Sequence, residues 1–504
     1  MSSRLFNRRF STIIMTISIC FVSCKKGFLE VMPNHSLSED SFYKTEDDFK
    51  QSVISVYGDL QKYILNAHLM EEGRSDNTTY DNNLDGGALT GTSQLAYMDQ
   101  FKMTSSASMV SSAWSLIYRT IKDCNIPLAH LENASIDKDA ALQIEGQLRF
   151  LRGYFLFTAV RYWGNVPLIT HPIITSEDAF QISQAPVESV YKAIIEDVEF
   201  ADSVLPSKYT GSDIGRITSG AAKTLLANIY MTQENYIQAE KYLREVISSR
   251  EYSLLPNYAD IFNPSNKNNK ESVFEVQFKE GPEGESSNFM YQFAPLGSRG
   301  ILLVGPGEGD GKNLPTLDMV HSYEPNDLRK NVSIGYILRG TDTIYYVKKY
   351  EHDTDPNFAR TPDDWPIFRY ADVLLMLAEA INEQQYQTGE PFDLLNKVRN
   401  RAGLNSLTPA SVPNQIIFRD TLLHERRVEL AFENHRWFDL LRTGKAIKVM
   451  TAYGKVEMAH PTTPVRPQVP YDDRSYKIDT HSLLYPIPVD ELNKDPNLVQ
   501  NVGY

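Results

Sequence analysis

The sequence lacks any run rich in lysine or arginine, and it contains only three cysteines. Its formal net charge is −14, from 50 Lys+Arg against 64 Asp+Glu. Phosphate backbones are neutralised by clustered cations, so this charge balance argues against a nucleic-acid-binding protein. Known catalytic signatures are also missing, because there is no His-Glu-x-x-His and no Gly-x-Ser-x-Gly. The segment GPGEGDGK at 305–312 lacks the first glycine and the Ser/Thr that a P-loop requires.

What is present is the composition of a folded globular protein. Hydrophobic residues make up 42% and charged residues 23% of 504 residues, enough for one large or two to three ordinary domains. Aromatic residues reach 11%, and tyrosine is the most frequent of them with 28 copies. A tyrosine ring with its polar tip suits a wet binding surface. The composition therefore favours a folded protein with aromatic binding surfaces.

The N-terminus predicts an export signal. Three arginines within the first nine residues precede an apolar run at 13–22, and Ser23 and Cys24 follow at once. Ten such residues rise only about 15 Å as a helix, roughly half of a bilayer core, so a spanning helix is not expected. Residues 21–24 resemble a bacterial lipoprotein signal, in which Cys24 is lipidated after cleavage. The alternative is a plain secretory signal followed by a free cysteine.

Export also settles the expected chemistry of the cysteines. Cleavage of the signal, residues 1–23, removes Cys20, and lipidation blocks Cys24. Cys124 is then alone, so we expect neither a disulfide framework nor a cysteine metal site. Residues 25–35 have the character of a short tether between the anchor and the folded body.

Most of the mature chain has helical spacing of its apolar residues. The segment 221–247 predicts two helices around residues 233–235, with small and aromatic residues placed as in a tetratricopeptide unit. Pro127 predicts a kink or break, and Gly164 predicts a helix end. The predicted helical segments are 38–63, 108–131, 144–164, 221–247, 367–383, 392–402 and 416–442.

Two stretches lack this spacing and are predicted to be loops. Residues 73–94 are dominated by Asn, Asp, Gly and Thr, and residues 263–366 are rich in Gly, Pro, Ser and Asn. Short strand-like pieces at 273–278 and 343–348 interrupt the second stretch. About a hundred residues without helix between helical blocks is unusual and often functional.

A row of acidic residues on one predicted helix is the strongest candidate for catalysis. Glu425, Glu429 and Glu433 are four residues apart, and His435 and Asp439 follow. This spacing aligns side chains on one helix face, as an exported carboxylate-based glycoside hydrolase would require. Four arginines are interleaved with these acids, however, and this pattern indicates a salt-bridged helix. We therefore expect no enzyme and name no catalytic residue.

Loop aromatics with polar neighbours are the candidates for ligand binding. Sugar rings need flat apolar faces, with amides, carboxylates and arginines at their edges for the hydroxyl groups. The candidates in the two loop stretches are Tyr80, Arg74, Asn77, Asp81, Asn83, Tyr97, Asn288, Tyr291 and Phe293.

The first loop stretch also contains half of a calcium-binding pattern. Asp81, Asn83 and Asp85 precede Gly86 as in the first half of an EF-hand loop, but Thr92 stands where a bidentate glutamate is needed. A polar turn is the favoured interpretation, and calcium remains a weak alternative. No other cofactor is expected.

Seven motifs in chain order resemble the SusD/RagB family of outer-membrane lipoproteins of Bacteroidota. They are RFLRGY (149–154), WGNVPL (163–168), GRITSGAA (215–222), RYADVLL with AEA after it (369–380), ERRVELAFE (425–433), HRWFDL (435–440) and DPNLVQNVGY (495–504).

The resemblance implies a mostly α fold with a tetratricopeptide-like helical scaffold and a loop-rich ligand-binding insertion. It divides the chain into a signal at 1–23, an N-terminal helical region at 24–260 and a C-terminal region at 261–504. The C-terminal region comprises the loop-rich part at 263–366, helices at 367–442 and an extended tail.

The resemblance also implies a function without catalysis. The protein would be anchored in the outer membrane by lipid on Cys24, and surface exposure follows from the family alone. It would capture a glycan and deliver it to a SusC-like TonB-dependent β-barrel. Peptide binding, as in RagB-like relatives, and a pure tetratricopeptide adaptor for proteins are the alternatives.

Overall fold

The structure is a computed structural model that describes residues 42–81, 91–281, 286–352, 357, 360–463 and 469–504. The signal, Cys24 and the tether lie outside these ranges. The helices are α1 (Glu46–Glu71), α2 (Gly91–Asp99), α3 (Ser108–Leu131), α4 (Lys138–Trp163), α5 (Ser176–Phe180), α6 (Val187–Val204), α7 (Ser219–Thr232), α8 (Tyr236–Ser249), α9 (Phe289–Phe293), α10 (Leu317–Ser322), α11 (Lys330–Ser333), α12 (Tyr370–Gln384), α13 (Glu390–Arg401), α14 (Gln415–Glu429), α15 (Arg436–Arg442), α16 (Ala446–Ala459) and α17 (Val489–Lys494).

The long helices form a scaffold of packed pairs. Helix α1 packs on α3, α4 on α6, α7 on α8, and α12 on α13 and α14. Contacts of α6 with α7 and of α8 with α12 join successive pairs into one stack. This arrangement confirms the predicted mostly α, tetratricopeptide-like architecture.

Local sequence explains where these helices begin and end. Thr45 and Asp48 form a capping box that starts α1, and Asn235 caps α8 by accepting a hydrogen bond from the backbone N–H of Gln238. Gly164, with φ of 73°, ends α4 as predicted. Pro127 lies inside α3 and does not end it, so the predicted break is absent.

Strands occur as four antiparallel pairs within the described residues. They are β1 (Thr78–Thr79) with β5 (Leu314–Pro315), β2 (Val166–Pro167) with β3 (Gln184–Ala185), β4 (Ser272–Val276) with β8 (Trp365–Arg369), and β6 (Ile334–Arg339) with β7 (Asp342–Val347). The predicted strand pieces near 273 and 343 are thus confirmed. The helix predicted from residue 367 begins at Tyr370, because residues 365–369 pair with β4.

One large hydrophobic core runs through the scaffold, and a smaller one lies in the insertion. All four tryptophans are buried in the large core. The small core consists of Met290, Tyr291, Ala294, Leu303, Leu314, Ile337, Ile344 and Tyr346. Among the described residues, no helix has the length and apolar character needed to cross a bilayer.

Candidate ligand-binding face

The two predicted loop stretches meet in the structure. Strand β1 of the first stretch pairs with β5 of the second, with Thr79 opposite Leu314. The backbone N–H of Asp81 donates a hydrogen bond to the carbonyl of Gly311 at 2.6 Å. We call this region, residues 73–81, 286–316 and 334–347, the loop junction.

Glycines make the close approach of these loops possible. Gly309 and Gly311 have φ of 85° and 61°, in the left-handed region that favours glycine. A Cβ atom on Gly311 would lie 2.3 Å from the Cβ of Asp81, and one on Gly309 would lie 2.5 Å from the carbonyl oxygen of Pro295. The glycine-rich segment is therefore a device for close backbone packing.

An ion pair closes the loop junction. The Arg339 guanidinium binds the Asp81 carboxylate through both Nη atoms, at 2.6 and 3.1 Å, and the Leu296 N–H donates to the same carboxylate at 3.1 Å. Asp81 is buried, and Arg339 is partly exposed at the end of β6. A bidentate pair of this kind fixes the hairpin tip relative to β1.

The same pair bears on the calcium prediction. The Asp81 carboxylate is already engaged by Arg339 and by the Leu296 N–H. Asn83 and Asp85 lie outside the described residues, within which no group of three potential metal ligands occurs. Calcium binding thus stays a prediction.

Two polar ligand candidates lie inside the scaffold. The guanidinium of Arg74 is buried, 4.2 Å from the centre of the Tyr485 ring and 4.9 Å from that of Phe101. Asn77 is buried too, and its amide oxygen accepts a hydrogen bond from Arg427 Nε at 2.8 Å. These contacts favour packing roles, although ligand binding by either residue is untested.

The aromatic candidates of the loops are buried as well. Tyr80, Tyr291 and Phe293 are each less than a tenth exposed, and the Tyr291 hydroxyl donates to the Val304 carbonyl at 2.6 Å. Tyr291 belongs to the small core of the insertion, Phe293 to the large core, and Tyr80 packs in a separate cluster with Leu95, Ala96 and Val469. Of the remaining candidates, Tyr97 and Asn288 are partly exposed, and Asn83 lies outside the described residues. Their ligand roles stay predictions.

The hairpin of β6 and β7 exposes an aromatic face that the sequence analysis missed. Tyr336 lies opposite Tyr345 and Leu338 opposite Thr343 on its outer side. Tyr336 is 63% and Leu338 is 65% exposed, whereas Tyr345 is half-buried. The two tyrosine ring centres lie 6.4 Å apart with planes at 64°. The alternation in YILRGTDTIYY at 336–346 carries the signal that could have revealed this hairpin.

The inner side of the hairpin fixes its orientation. Ile337 and Ile344 pair across the strands and enter the small core. Gly335 lies beneath the Tyr346 ring, where a Cβ atom would be 2.3 Å from the ring. Since side chains alternate along a strand, Tyr336, Leu338 and Tyr345 lie on the opposite side of the hairpin, where Tyr336 and Leu338 are exposed and Tyr345 packs partly against the large core. We call these three residues, with Thr343, the hairpin face.

The predicted carboxylate row is buried in a dense set of ion pairs. Arg369 binds Glu271, Glu429 and Glu433 at 2.8, 2.9 and 2.7 Å, and Arg329 binds Glu425 at 2.6 Å and Glu429 at 3.1 Å. We call this set, completed by Arg399 and Arg401, the arginine–glutamate network. The glutamates are thus in ion pairs, as expected, but their partners come from other elements of the fold and are not the arginines interleaved in the same segment, which pair with acids such as Asp372, Asp76 and Glu379.

Electrostatics in the network oppose acid catalysis. Burial alone would raise the pKa of Glu429, but Arg401, Arg369 and Arg329 outweigh it and lower that pKa well below its ordinary value. A general acid of a glycosidase needs a raised pKa and access to substrate. His435 and Asp439 do not supply a general acid either, since burial lowers the pKa of His435 and so favours its neutral form, and Asp439 is paired with Arg426 at 2.9 Å.

Comparison with known proteins identifies the fold and the family. A family described as the SusD family matches residues 328–504, and one described as "Starch-binding associating with outer membrane" matches residues 27–231. The two matches lie in opposite halves of the chain, and both concern SusD proteins.

Relatives match over nearly the whole length. SusD-like protein P25 of Formosa agariphila is 29% identical, with 97% of this chain and 98% of the relative covered. The starch-binding protein SusD of Bacteroides thetaiotaomicron is 22% identical over 72% of this chain and 73% of its own.

A solved structure described as a laminarin-binding SusD-like protein is 26% identical, with a TM-score of 0.76, and covers 92% of this chain and 100% of its own. Surface glycan-binding protein A of B. thetaiotaomicron in complex with laminarihexaose is 23% identical, with a TM-score of 0.74, and shares the fold over 91% of this chain and 100% of its own. The chain therefore belongs to the SusD family.

Proposed function

We propose that this chain is a non-catalytic glycan-binding protein of the outer membrane that delivers oligosaccharide to a SusC-like TonB-dependent transporter. The observation that carries the proposal is the hairpin face, which exposes the Tyr336 ring and Leu338 beside the partly buried Tyr345 ring. Flat aromatic rings with polar tips suit the apolar faces and hydroxyl edges of sugar rings. The relative that binds laminarin supports a glycan as the ligand class.

The loop junction would orient this face. Arg339 follows Leu338 directly in β6 and is partly exposed, and its guanidinium is paired with Asp81 at the junction. Its charge is therefore held at the edge of the hairpin face. Amides and charged groups at the edge of an aromatic platform select among sugar hydroxyls. Tyr97 and Asn288, both partly exposed, are further candidates from the sequence.

Binding without turnover agrees with the arginine–glutamate network. Its carboxylates are engaged in ion pairs inside the scaffold, so their charges are paired within the fold and are not presented to a substrate. Incubation with glycans should release no new reducing ends. A turnover that is abolished by Glu429→Ala would contradict the proposal and favour the hydrolase alternative.

Anchoring and partnership complete the proposal. Lipid on Cys24 would hold the protein on the outer membrane, in line with the family description that names this membrane. Affinity purification of the full-length protein from its own outer membranes should recover a TonB-dependent β-barrel. Recovery of the protein alone, under conditions that preserve membrane complexes, would contradict the partnership.

Titration of the soluble chain without Cys24, residues 25–504, against panels of oligosaccharides and peptides tests the ligand class. We expect heat of binding with β-linked glucan oligosaccharides such as laminarihexaose and none with peptides. Binding of peptides alone would assign the chain to the peptide-binding branch. Absence of binding to either panel, with a folded protein, would contradict capture by the isolated subunit.

A further inference from the structure

An open groove lies between the C-terminal part of α3 and the N-terminal part of α4, away from the hairpin. Its volume is about 730 Å³, and loop 170–172 borders one end. The apolar part of its lining comes from Leu128 and Leu131 of α3 and from Ala141 and Leu142 of α4. Leu142 is 41% exposed, although it belongs to the long scaffold helix. The scaffold therefore leaves apolar surface uncovered here.

The rim of the groove carries both signs of charge. Glu132 and Glu145 stand beside Lys138 and Arg149, so the rim is nearly neutral in a chain that is acidic overall. The Arg149 guanidinium stacks 4.2 Å from the centre of the Phe200 ring and binds Glu145 at 2.7 Å. Its buried Nε has no hydrogen-bond partner among the described residues. Such a rim suits a segment with mixed charges.

The described chain begins beside this groove. The Tyr43 ring stacks on His130 with ring centres 4.6 Å apart and planes at 18°. His130 stands on the last turn of α3; it is not itself part of the groove lining, but its sequence neighbours Ala129 and Leu131 are. The residues that precede Phe42 are therefore attached next to the groove.

The sequence of that preceding segment matches the groove in chemistry and reach. Residues 25–32 read KKGFLEVM, with four large apolar side chains and charges of both signs. Fourteen residues lie between Phe28 and Tyr43, which allows a span of up to about 50 Å when the segment is fully extended. Attachment at this distance gives a local concentration on the order of millimolar, so weak affinity suffices for occupancy.

We propose that the groove between α3 and α4 binds the chain's own N-terminal segment, residues 25–41, through Phe28, Leu29, Val31 and Met32. The docked segment covers Leu142 and brings both of its charge types to the mixed rim. One consequence rests on the proposed lipid on Cys24: docking shortens the free tether and holds the body close to the membrane. Occupancy of the groove itself does not depend on the anchor or on glycan binding.

Limited proteolysis of the soluble chain without Cys24, residues 25–504, tests the proposal. Chymotrypsin cleaves after Phe28 or Leu29 only when the segment leaves the groove, and mass spectrometry of the N-terminal fragment follows that cleavage. We expect Leu142→Glu to accelerate it at least tenfold, because a carboxylate disfavours apolar docking. Ile237→Glu is the matched control, since Ile237 is an exposed apolar residue on α8.

A tether variant keeps the test independent of folding in the body. Val31→Asp with Met32→Asp leaves the groove intact and should accelerate cleavage as Leu142→Glu does. Equal cleavage rates in the wild type and all variants would overturn the proposal. An effect of Leu142→Glu without any effect of the tether variant would show that another segment fills the groove, which also overturns it. The affinity for laminarihexaose should be unchanged in each variant. A failure of the groove-docking proposal can therefore be told apart from a failure of the proposed glycan binding.

Discussion

The arginine–glutamate network and the hairpin face are opposite solutions to the placement of polar and aromatic side chains. In the network, Glu429 and Arg369 are buried, and each binds several partners. On the hairpin face, Tyr336 and Leu338 are mostly exposed and belong to none of the motifs that mark the family. A dense charged motif can therefore mark the scaffold, while the face proposed here for glycan binding lies outside such motifs.

Physical chemistry explains this division. A charge withdrawn from water must be paired, so several glutamates inside a scaffold require several arginines at fixed positions. An exposed tyrosine has no such requirement and can change without loss of the fold.

Removing one charge from the network should cost the most. Glu429→Gln leaves Arg369, Arg401 and Arg329 without the carboxylate that they share, and we expect a loss of about 3–5 kcal/mol in the free energy of unfolding. Denaturant unfolding at pH 7 measures it. The wild-type contribution is present above the unfolded-state pKa near 4.5 and is lost as the pH falls below it, because the folded-state pKa is lowered.

An exposed ion pair provides the control for this prediction. Arg244 and Glu390 form a bidentate pair at 2.8–2.9 Å, with side chains 44% and 48% exposed. Glu390→Gln should cost less than about 1 kcal/mol, since water screens the pair. A similar cost for both variants would contradict the role assigned to burial.

A buried carboxyl without a directly bound arginine should behave in the opposite way. Burial raises the pKa of Glu72 to about 7, and its oxygens accept hydrogen bonds from the Asn434 N–H at 2.8 Å and the Ser75 hydroxyl at 3.3 Å. The folded protein therefore holds a proton that the unfolded chain releases above pH 4.5. Its stability should fall by up to about 3 kcal/mol as the pH rises from 4.5 to 7.

Glu72→Gln tests this sign directly. The amide cannot ionise, so stability above pH 7 should rise relative to wild type, and this part of the pH dependence should vanish. Thermal unfolding across pH 4 to 8 measures both. A wild-type stability that increases steadily over this range, with the variant less stable at pH 8, would show that Glu72 is ionised in the fold.

Loosening the hairpin should lower the free energy of unfolding less than Glu429→Gln does, and it should also weaken the binding of laminarihexaose. Arg339→Met leaves the buried Asp81 carboxylate without its cation, at a cost of about 2 kcal/mol. The double variant with Asp81→Asn should recover most of that loss, because no unpaired charge remains. Arg299→Met, which removes a surface pair with Glu308, is the control. Unfolding and laminarihexaose titration together measure the effect; equal losses in the single and double variants would contradict the pairing.

Helical spacing in the sequence predicted most of the scaffold, and particular residues show where this local signal fails to predict the structure. Residues 221–247 form two helices as predicted, because apolar periodicity and Asn235 are both local signals. Helix α2 was missed because Asn, Gly and Thr dominate the stretch before it. Residues 367–369 look helical in sequence, but pairing with β4 makes them strand, and a distant partner leaves no local signal.

The candidate site was harder to predict than the fold. Tyr291 and Phe293 stand in a Gly- and Pro-rich region and were expected at the surface, yet the insertion buries them in cores of the fold. That outcome depends on contacts with residues such as Ile344 and Trp365, far along the chain. The hairpin face depends on register, since a shift by one residue would turn Tyr336 inward.

The most direct measurement of this contrast is a laminarihexaose titration paired with denaturant unfolding for Tyr336→Ala. Phe180→Ala is the control, since Phe180 is a ring of similar exposure, 61%, on α5. We predict that Tyr336→Ala weakens laminarihexaose binding at least tenfold, about 1.4 kcal/mol, and leaves the free energy of unfolding unchanged. Phe180→Ala should change neither the binding affinity nor the free energy of unfolding. Unchanged binding in Tyr336→Ala, with a wild-type protein that binds the glycan, would contradict the assignment of the hairpin face as the glycan platform.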